Sequence, residues 1–254
     1  MHALIHIPTE NLAAGERTFV GRQPIDLDLA RKQHASYATT LSACGVEVHC
    51  LDANSQFPDA VFVEDTAVVL EEVALSARPG AVSRRGEVAA IEAALRQWRE
   101  VVRVEPPATL EGGDVLRVGR RLWVGHSCRT NRAGVEFLME WGRRLGYRVN
   151  GVAVRGCLHL KTACTALPDG RLWVHRPWLD AAALDVEAWQ LLDVPPEEPW
   201  GANVLTLGEQ VLAAAQGQRS LETLSQMGYR VAGVDLSEFA KAEGGPTCLS
   251  LLID

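Results

Sequence analysis

Five polar residues each stand at or just before the start of an apolar strand pattern: Asp65, Asp114, His159, Asn203 and Cys248. They recur at intervals of roughly 45 residues, a period that signals a propeller or a similar repeat architecture. The segments that follow Asp65, Asp114, His159 and Asn203 read as hairpins, two short apolar strands around a polar turn: TAVVLEEVALSA, DVLRVGRRLWVG, LKTACTALPDGRLWV and NVLTLGEQVLAAA. Strands that begin at such regular intervals converge at one axial end. Their polar first residues would then line one central pit, which is a site reading for the set rather than for any single member.

A second module interleaves with the hairpins. CGVEVHCLD (44–52), LGYRVNGVAV (145–154) and MGYRVAGVDL (227–236) each place a glycine after a helical pattern and before an alternating strand. Such a glycine suits a helix C-cap, where the backbone turns left-handed. The preceding helices show apolar stripes: Val88, Ile91, Leu95 and Trp98 with Ser83 as cap; Val135, Leu138, Met139 and Leu145; Leu221, Leu224 and Met227. No Pro/Gly/Ser-rich linker divides the chain, so one domain over residues 1–254 is expected.

Composition narrows the partners. A formal charge of −7 argues against nucleic acid and anionic membrane. No apolar run approaches membrane-spanning length, and MHALIHIPTENLAAGER has no secretion-signal pattern. The six cysteines form no C-x-x-C pair and are too sparse for a disulfide scaffold. The expectation is a reduced, cytoplasmic, soluble protein, with a homodimer left open.

The motifs FPDAVFVEDTAVV, ARPGAVSRRGEV, TLEGGDVL, RTN, LHLK and GGPTCLSLLI occur in order from Phe57 to Ile253. In these the chain resembles the dimethylarginine dimethylaminohydrolase family, of the guanidino-group-modifying superfamily. The resemblance implies an α/β fold, a five-bladed α/β propeller of ββαβ modules around a central active-site pit. It implies hydrolysis of Nω-monomethyl- and asymmetric Nω,Nω-dimethylarginine to citrulline and a methylamine, with no organic cofactor and no catalytic metal.

Carried over residue by residue, Cys248 matches the nucleophile, His159 the general acid/base, and Glu111 the acid that orients the imidazole. Asp59, Glu64 and Asp65 match substrate-binding acids. Neighbours on a strand point to opposite faces, so only one of Glu64 and Asp65 should reach the site, and Asp65 is assigned to the guanidinium. Arg84 and Arg129 match the clamp on the substrate α-carboxylate, where a guanidinium fork fits. They favour a guanidino amino acid over agmatine. Gly244 and Gly245 would let the backbone come close to the substrate, and residues 13–24 match the family's lid in position only. On residues alone His126, beside Cys128 and Arg129, rivals His159, and Asp114 serves equally as a turn-former or a substrate contact. Two other readings stay open. One is a deiminase or amidinotransferase of the same superfamily. The other is a non-catalytic propeller that binds a partner. A zinc enzyme is not expected, because no His/Cys cluster has ligand spacing along the chain.

Overall fold

The computed structural model describes residues 1–184 and 190–254. Fifteen strands among them form five three-stranded sheets. Four sheets repeat one unit, an antiparallel hairpin followed by a crossover to a parallel outer strand. These are β3 (Ala67–Val69), β4 (Val73–Ser76) and β5 (Glu100–Arg103); β6 (Val115–Val118), β7 (Arg121–His126) and β8 (Arg148–Ala153); β9 (Cys164–Ala166), β10 (Leu172–Val174) and β11 (Leu191–Asp193); and β12 (Val204–Leu207), β13 (Gln210–Ala214) and β14 (Arg230–Val234). In the fifth, both chain ends meet. β15 (Leu251–Ile253) pairs antiparallel with β1 (His2–His6), which pairs parallel with β2 (Glu47–Leu51). The ββαβ unit is therefore preserved, with its first strand supplied by the C-terminus.

Helices fill the crossovers: α1 (Leu27–Ala43), α2 (Val88–Leu95), α3 (Arg132–Arg144) and α5 (Gln218–Gln226), with short α4 (Leu160–Ala163) and α6 (Ser237–Ala240) elsewhere. Gly45, Gly146 and Gly228 take the left-handed backbone expected of them, at φ 81°, 78° and 91°. Asn131 caps α3 by accepting the Gly134 N–H at 2.9 Å, worth about 1 kcal/mol. Two expectations shift. Ser83 is no cap: it lies inside a 3-10 turn over Val82–Glu87 and bonds Glu16 instead. Met139 and Met227 end up on exposed surface, because the stripes on α3 and α5 are narrower than the apolar pattern.

Five apolar clusters hold the ring, each between successive blades. Leu4, Leu251 and Ile253 pack on Ala67, Ala74, Ile91 and Leu95. Val68, Val73 and Leu75 pack on Val115, Leu122 and Leu138. Leu116, Trp123 and Val152 pack on Leu160, Leu172 and Val174. Leu167 and Trp173 pack on Val204, Val211 and Leu224. Leu205, Leu212 and Val234 close the ring against Ala3, Ile5, Tyr37 and Leu41. The inner strands β3, β6, β9, β12 and β15 line an axial cavity of about 320 Å³. This is the five-bladed α/β propeller that the family resemblance implied, in keeping with the repeat.

The inner strands do not start at the polar residues themselves. A tight helical turn comes before four of them, over Val63–Thr66, Gly112–Asp114, Leu160–Ala163 and Pro199–Ala202, and Cys248 lies in a turn ahead of β15. These turns gather at one end of the axis and carry the site.

Candidate active site

The turns present Glu111, His159 and Cys248 from three different blades. His159 Nε2 lies 2.6 Å from Glu111 Oε2, and its Nδ1 lies 3.7 Å from Asp65 Oδ1. Gly113 makes room for this ring: a Cβ there would come within 2.7 Å of His159 Nδ1 and 2.6 Å of Asp65 Oδ1. Asp114 is no site residue. Fully buried, it accepts the Leu160 N–H at 2.9 Å and the Ser127 hydroxyl at 2.6 Å, fixing the turn that carries His159. His126 faces solvent, which removes the rival histidine.

Cys248 lines a small cavity with Asp59, Phe62, Asp65, Arg84, Arg129, His159 and the segment Ala242–Gly244. Its volume is about 20 Å³, room for roughly one water. The cover is the segment expected as a lid. The carboxylate of Glu243 accepts the consecutive backbone N–H groups of Thr18, Phe19 and Val20, and Asp59 accepts that of Glu16 at 3.0 Å. The Arg17 guanidinium donates to the Lys241 and Leu12 carbonyls. Glu243 itself has φ 62°, the only non-glycine residue with positive φ among the described residues, which turns its side chain to the lid.

Glu64 and Asp65 do point opposite ways, though they sit on a helical turn and not on a strand. Asp65 faces the small cavity, and Glu64 faces the axial one. Arg84 is saturated: Nη1 lies 2.6 Å from Asp65 Oδ2, and Nη2 lies 2.9 Å from Glu87 Oε2 and 3.0 Å from the Phe62 carbonyl. Arg129 is freer, with Nη1 3.5 Å from Glu111 Oε1. Among the described residues three buried side-chain polar atoms lack a hydrogen-bond partner, and two of them belong here: Asp65 Oδ1, an acceptor, and Arg129 Nη1, a donor. A ligand that brings a cation to one and a carboxylate to the other would satisfy both.

The charges are tuned by burial and by each other. Burial alone would lower the His159 pKa, but Asp65, the Glu111 hydrogen bond and Asp114 outweigh it and raise it to about 9. Burial pulls Glu111 upward, yet the bond and charge of His159, with Arg84 and Arg129, hold it well below the usual carboxylate range. Burial, then Glu64 and Asp65, push the Cys248 thiol up, against the Gly245 N–H at 3.4 Å and the Lys161 charge. At rest the pair is thiol and imidazolium.

Four residues that hold the Cys248 turn escaped sequence reading as a group. The Asn203 amide donates to the Lys161 carbonyl at 2.9 Å and to Thr247 Oγ1 at 3.0 Å, and its oxygen accepts the Thr247 N–H at 3.0 Å. Thr247 Oγ1 donates to Glu64 Oε2 at 2.8 Å, and Lys161 Nζ lies 2.5 Å from Glu64 Oε1. From α1, Tyr37 donates to the Pro246 carbonyl at 2.8 Å. Asn203 stood in the repeat but not in the candidate site. The missing side chain of Gly245 leaves space for Asn203 Oδ1, 2.6 Å from where a Cβ would stand, so that glycine admits a protein neighbour where a substrate contact was expected.

Comparison with known proteins points the same way. A family model described as N,N dimethylarginine dimethylhydrolase, eukaryotic, matches residues 16–162. The chain is 44% identical over 251 residues to an N(G),N(G)-dimethylarginine dimethylaminohydrolase of Streptomyces coelicolor, covering 98% of this chain and 95% of the relative. It is 33% identical over 252 residues to the enzyme of that name from Pseudomonas aeruginosa, covering 98% of each. A solved structure of the Pseudomonas protein, a cysteine-to-serine mutant complexed with citrulline, superposes with a TM-score of 0.91 over 98% of both chains.

Proposed function

Because the chain belongs to the dimethylarginine dimethylaminohydrolase family, we propose that it hydrolyses Nω-methylated arginine to citrulline and a methylamine. One observation carries the assignment of roles. Cys248 and His159 line one small cavity, Glu111 from a third blade backs the imidazole at 2.6 Å, and beside them stand an acceptor on Asp65 and a donor on Arg129 without hydrogen-bond partners.

Asp65 receives the guanidinium and Arg129 the α-carboxylate, with Asp59 toward the amino-acid end; Arg84, already bonded to Asp65, Glu87 and the Phe62 carbonyl, holds Asp65 in place in this reading and is not the second arm of the clamp that the resemblance implied. Glu64 supports the site from the axial side. The substrate's positive charge next to Cys248 offsets Glu64 and Asp65, so the thiol gives up its proton to solvent as substrate binds, and the thiolate is the attacking form. The sulfur attacks the guanidinium carbon. The bond from that carbon to the methylated nitrogen breaks, its electron pair stays on nitrogen, and imidazolium His159 supplies the proton that lets methylamine leave. Neutral His159 then takes a proton from water, which attacks the same carbon. The C–S bond breaks as the hydroxyl proton leaves to solvent and the C=O forms, releasing citrulline and the thiolate. Glu111 keeps the imidazole oriented and stabilises its charged form. No step needs a cofactor.

The enzyme acts as one catalytic domain over residues 1–254. We read its compartment as cytoplasmic, on six cysteines that are all free. Among the described residues no helix is long and apolar enough to cross a membrane.

The test is a citrulline assay over arginine, Nω-monomethylarginine, asymmetric dimethylarginine and the symmetric isomer. The first two methylated forms should turn over and arginine should lag. Arginine turned over far faster would make the enzyme a deiminase, and no turnover of any of them would leave a binding scaffold.

A further inference from the structure

A second cluster of ligating side chains stands away from the reaction centre. β1 and β2 run parallel with His2 opposite Glu47 and Leu4 opposite His49, so His2, Glu47 and His49 share one face of the blade. His2 Nδ1 lies 3.1 Å from His49 Nε2 and 3.3 Å from Glu47 Oε2, and His49 Nε2 lies 3.5 Å from Glu47 Oε1. Bonds of about 2.0–2.1 Å to one tetrahedral ion place ligand atoms about 3.3–3.4 Å apart. Each pair of residues thus already approaches at about the spacing an ion would impose, Glu47 through a different oxygen to each ring, and one atom from each of the three lies within 4.8 Å of the others.

The site has a supporting wall. The Trp98 ring lies 5.4 Å from that of His2 and 5.1 Å from that of His49, which limits how far either imidazole can turn. Both imidazoles and the carboxylate are partly exposed, at 32%, 30% and 66%, so water can take a fourth position. Two imidazoles and one carboxylate suit zinc, cobalt, nickel or copper, not magnesium or calcium. A single N–H···N bond between the rings explains the 3.1 Å contact, but not why Glu47 turns one oxygen to each ring.

We propose that His2, Glu47 and His49 bind one divalent transition-metal ion of the zinc class, a structural site that clips β1 to β2. The spacing of His2 and His49 along the chain hides it, because only the strand pairing brings them together. β2 is the outer strand of its blade, whereas Cys248 precedes the inner strand β15, and none of the three ligands lines the catalytic cavity. The ion takes no part in the reaction. It stabilises the folded state by mass action.

Asp65, Glu111 and His159 also lie close enough together to hold a metal, so the experiment must tell the two places apart. Full-length protein without a histidine tag is dialysed against Zn2+ in a competing chelator, as wild type, His49→Gln, Glu47→Gln and Cys248→Ser. Wild type and Cys248→Ser should hold one equivalent whose Kd rises at least tenfold in His49→Gln and in Glu47→Gln. Co2+ in its place should give tetrahedral d–d absorption without a thiolate charge-transfer band. Zn2+ should raise the melting temperature of wild type and not of His49→Gln, while His49→Gln keeps wild-type citrulline formation. Equal binding by wild type and His49→Gln, loss of the metal only in Cys248→Ser, or no binding by wild type would each overturn the proposal.

Discussion

In the proposed mechanism both half-reactions turn on His159, and its environment sets their pH range. Asp65, Glu111 and Asp114 keep its proton on up to about pH 9. A raised histidine pKa means the acid form is present below that value and lost above it. kcat/KM should therefore fall along an alkaline limb near pH 9. Glu111→Gln removes an anionic partner at 2.6 Å, so the limb should move to lower pH while kcat at neutral pH drops by roughly 100-fold, in the range of general acid–base contributions. A pH–rate profile of both proteins checks this, and an unmoved limb would mean that Glu111 does not tune the imidazole. Cys157 and Cys164, pushed up to about 12 chiefly by burial, stay thiols throughout and are packing residues.

At the scale of elements, the site consists of turns and of the contacts that lock them. The Asn203 side chain ties the His159-bearing turn, through the Lys161 carbonyl, to the Cys248-bearing turn, through Thr247. Asn203→Ala leaves these buried groups unpaired, at about 1–3 kcal/mol. It should lower the melting temperature and depress kcat more than it raises KM, read by thermal unfolding and steady-state kinetics. The lid depends on one carboxylate in the same way. Glu243→Gln weakens three charge-assisted bonds to Thr18, Phe19 and Val20, so KM should rise about 5- to 30-fold for about 1–2 kcal/mol lost, with faster proteolytic cleavage between residues 15 and 22. Wild-type KM and cleavage rate would show that Glu243 does not latch the lid. What the sequence made legible at this scale follows from local physics. Alternating apolar strands, left-handed glycines and helix stripes all act within a few residues, and the hairpins and C-caps came out where those patterns put them. The Asn203–Thr247 and Lys161–Glu64 contacts join residues in different blades, and no local pattern marks them. The turns before the inner strands were missed for a related reason. Their polar residues look like strand starts until the backbone shows Asp65 and Asp114 inside 3-10 turns and His159 at the N-cap of a short α-helix.

For the whole molecule, the repeat explains why so few residues can do the chemistry. Five blades bring five turns to one end of an axis, and ring closure by β15 on β1 fixes the nucleophile turn beside the first strand of the chain. Consecutive residues Glu64 and Asp65 face the two sides of the axial floor, so one fixes the scaffold while the other, in the proposed mechanism, meets the substrate. The closed cavity holds about one water, so in the proposed mechanism the lid opens for an amino acid to enter, and Asp65 Oδ1 and Arg129 Nη1, which lack hydrogen-bond partners, take its two charged ends. The acid/base chemistry of His159 is wasted unless a thiolate attacks first. The central claim is therefore that Cys248 is the nucleophile in a methylarginine hydrolase. It is tested most directly by citrulline release from asymmetric dimethylarginine by wild type and Cys248→Ser, with folding matched by thermal unfolding. The account predicts turnover by wild type with one dimethylamine per citrulline, and a loss of at least about 1,000-fold in Cys248→Ser. Citrulline formed by Cys248→Ser at near the wild-type rate would contradict it.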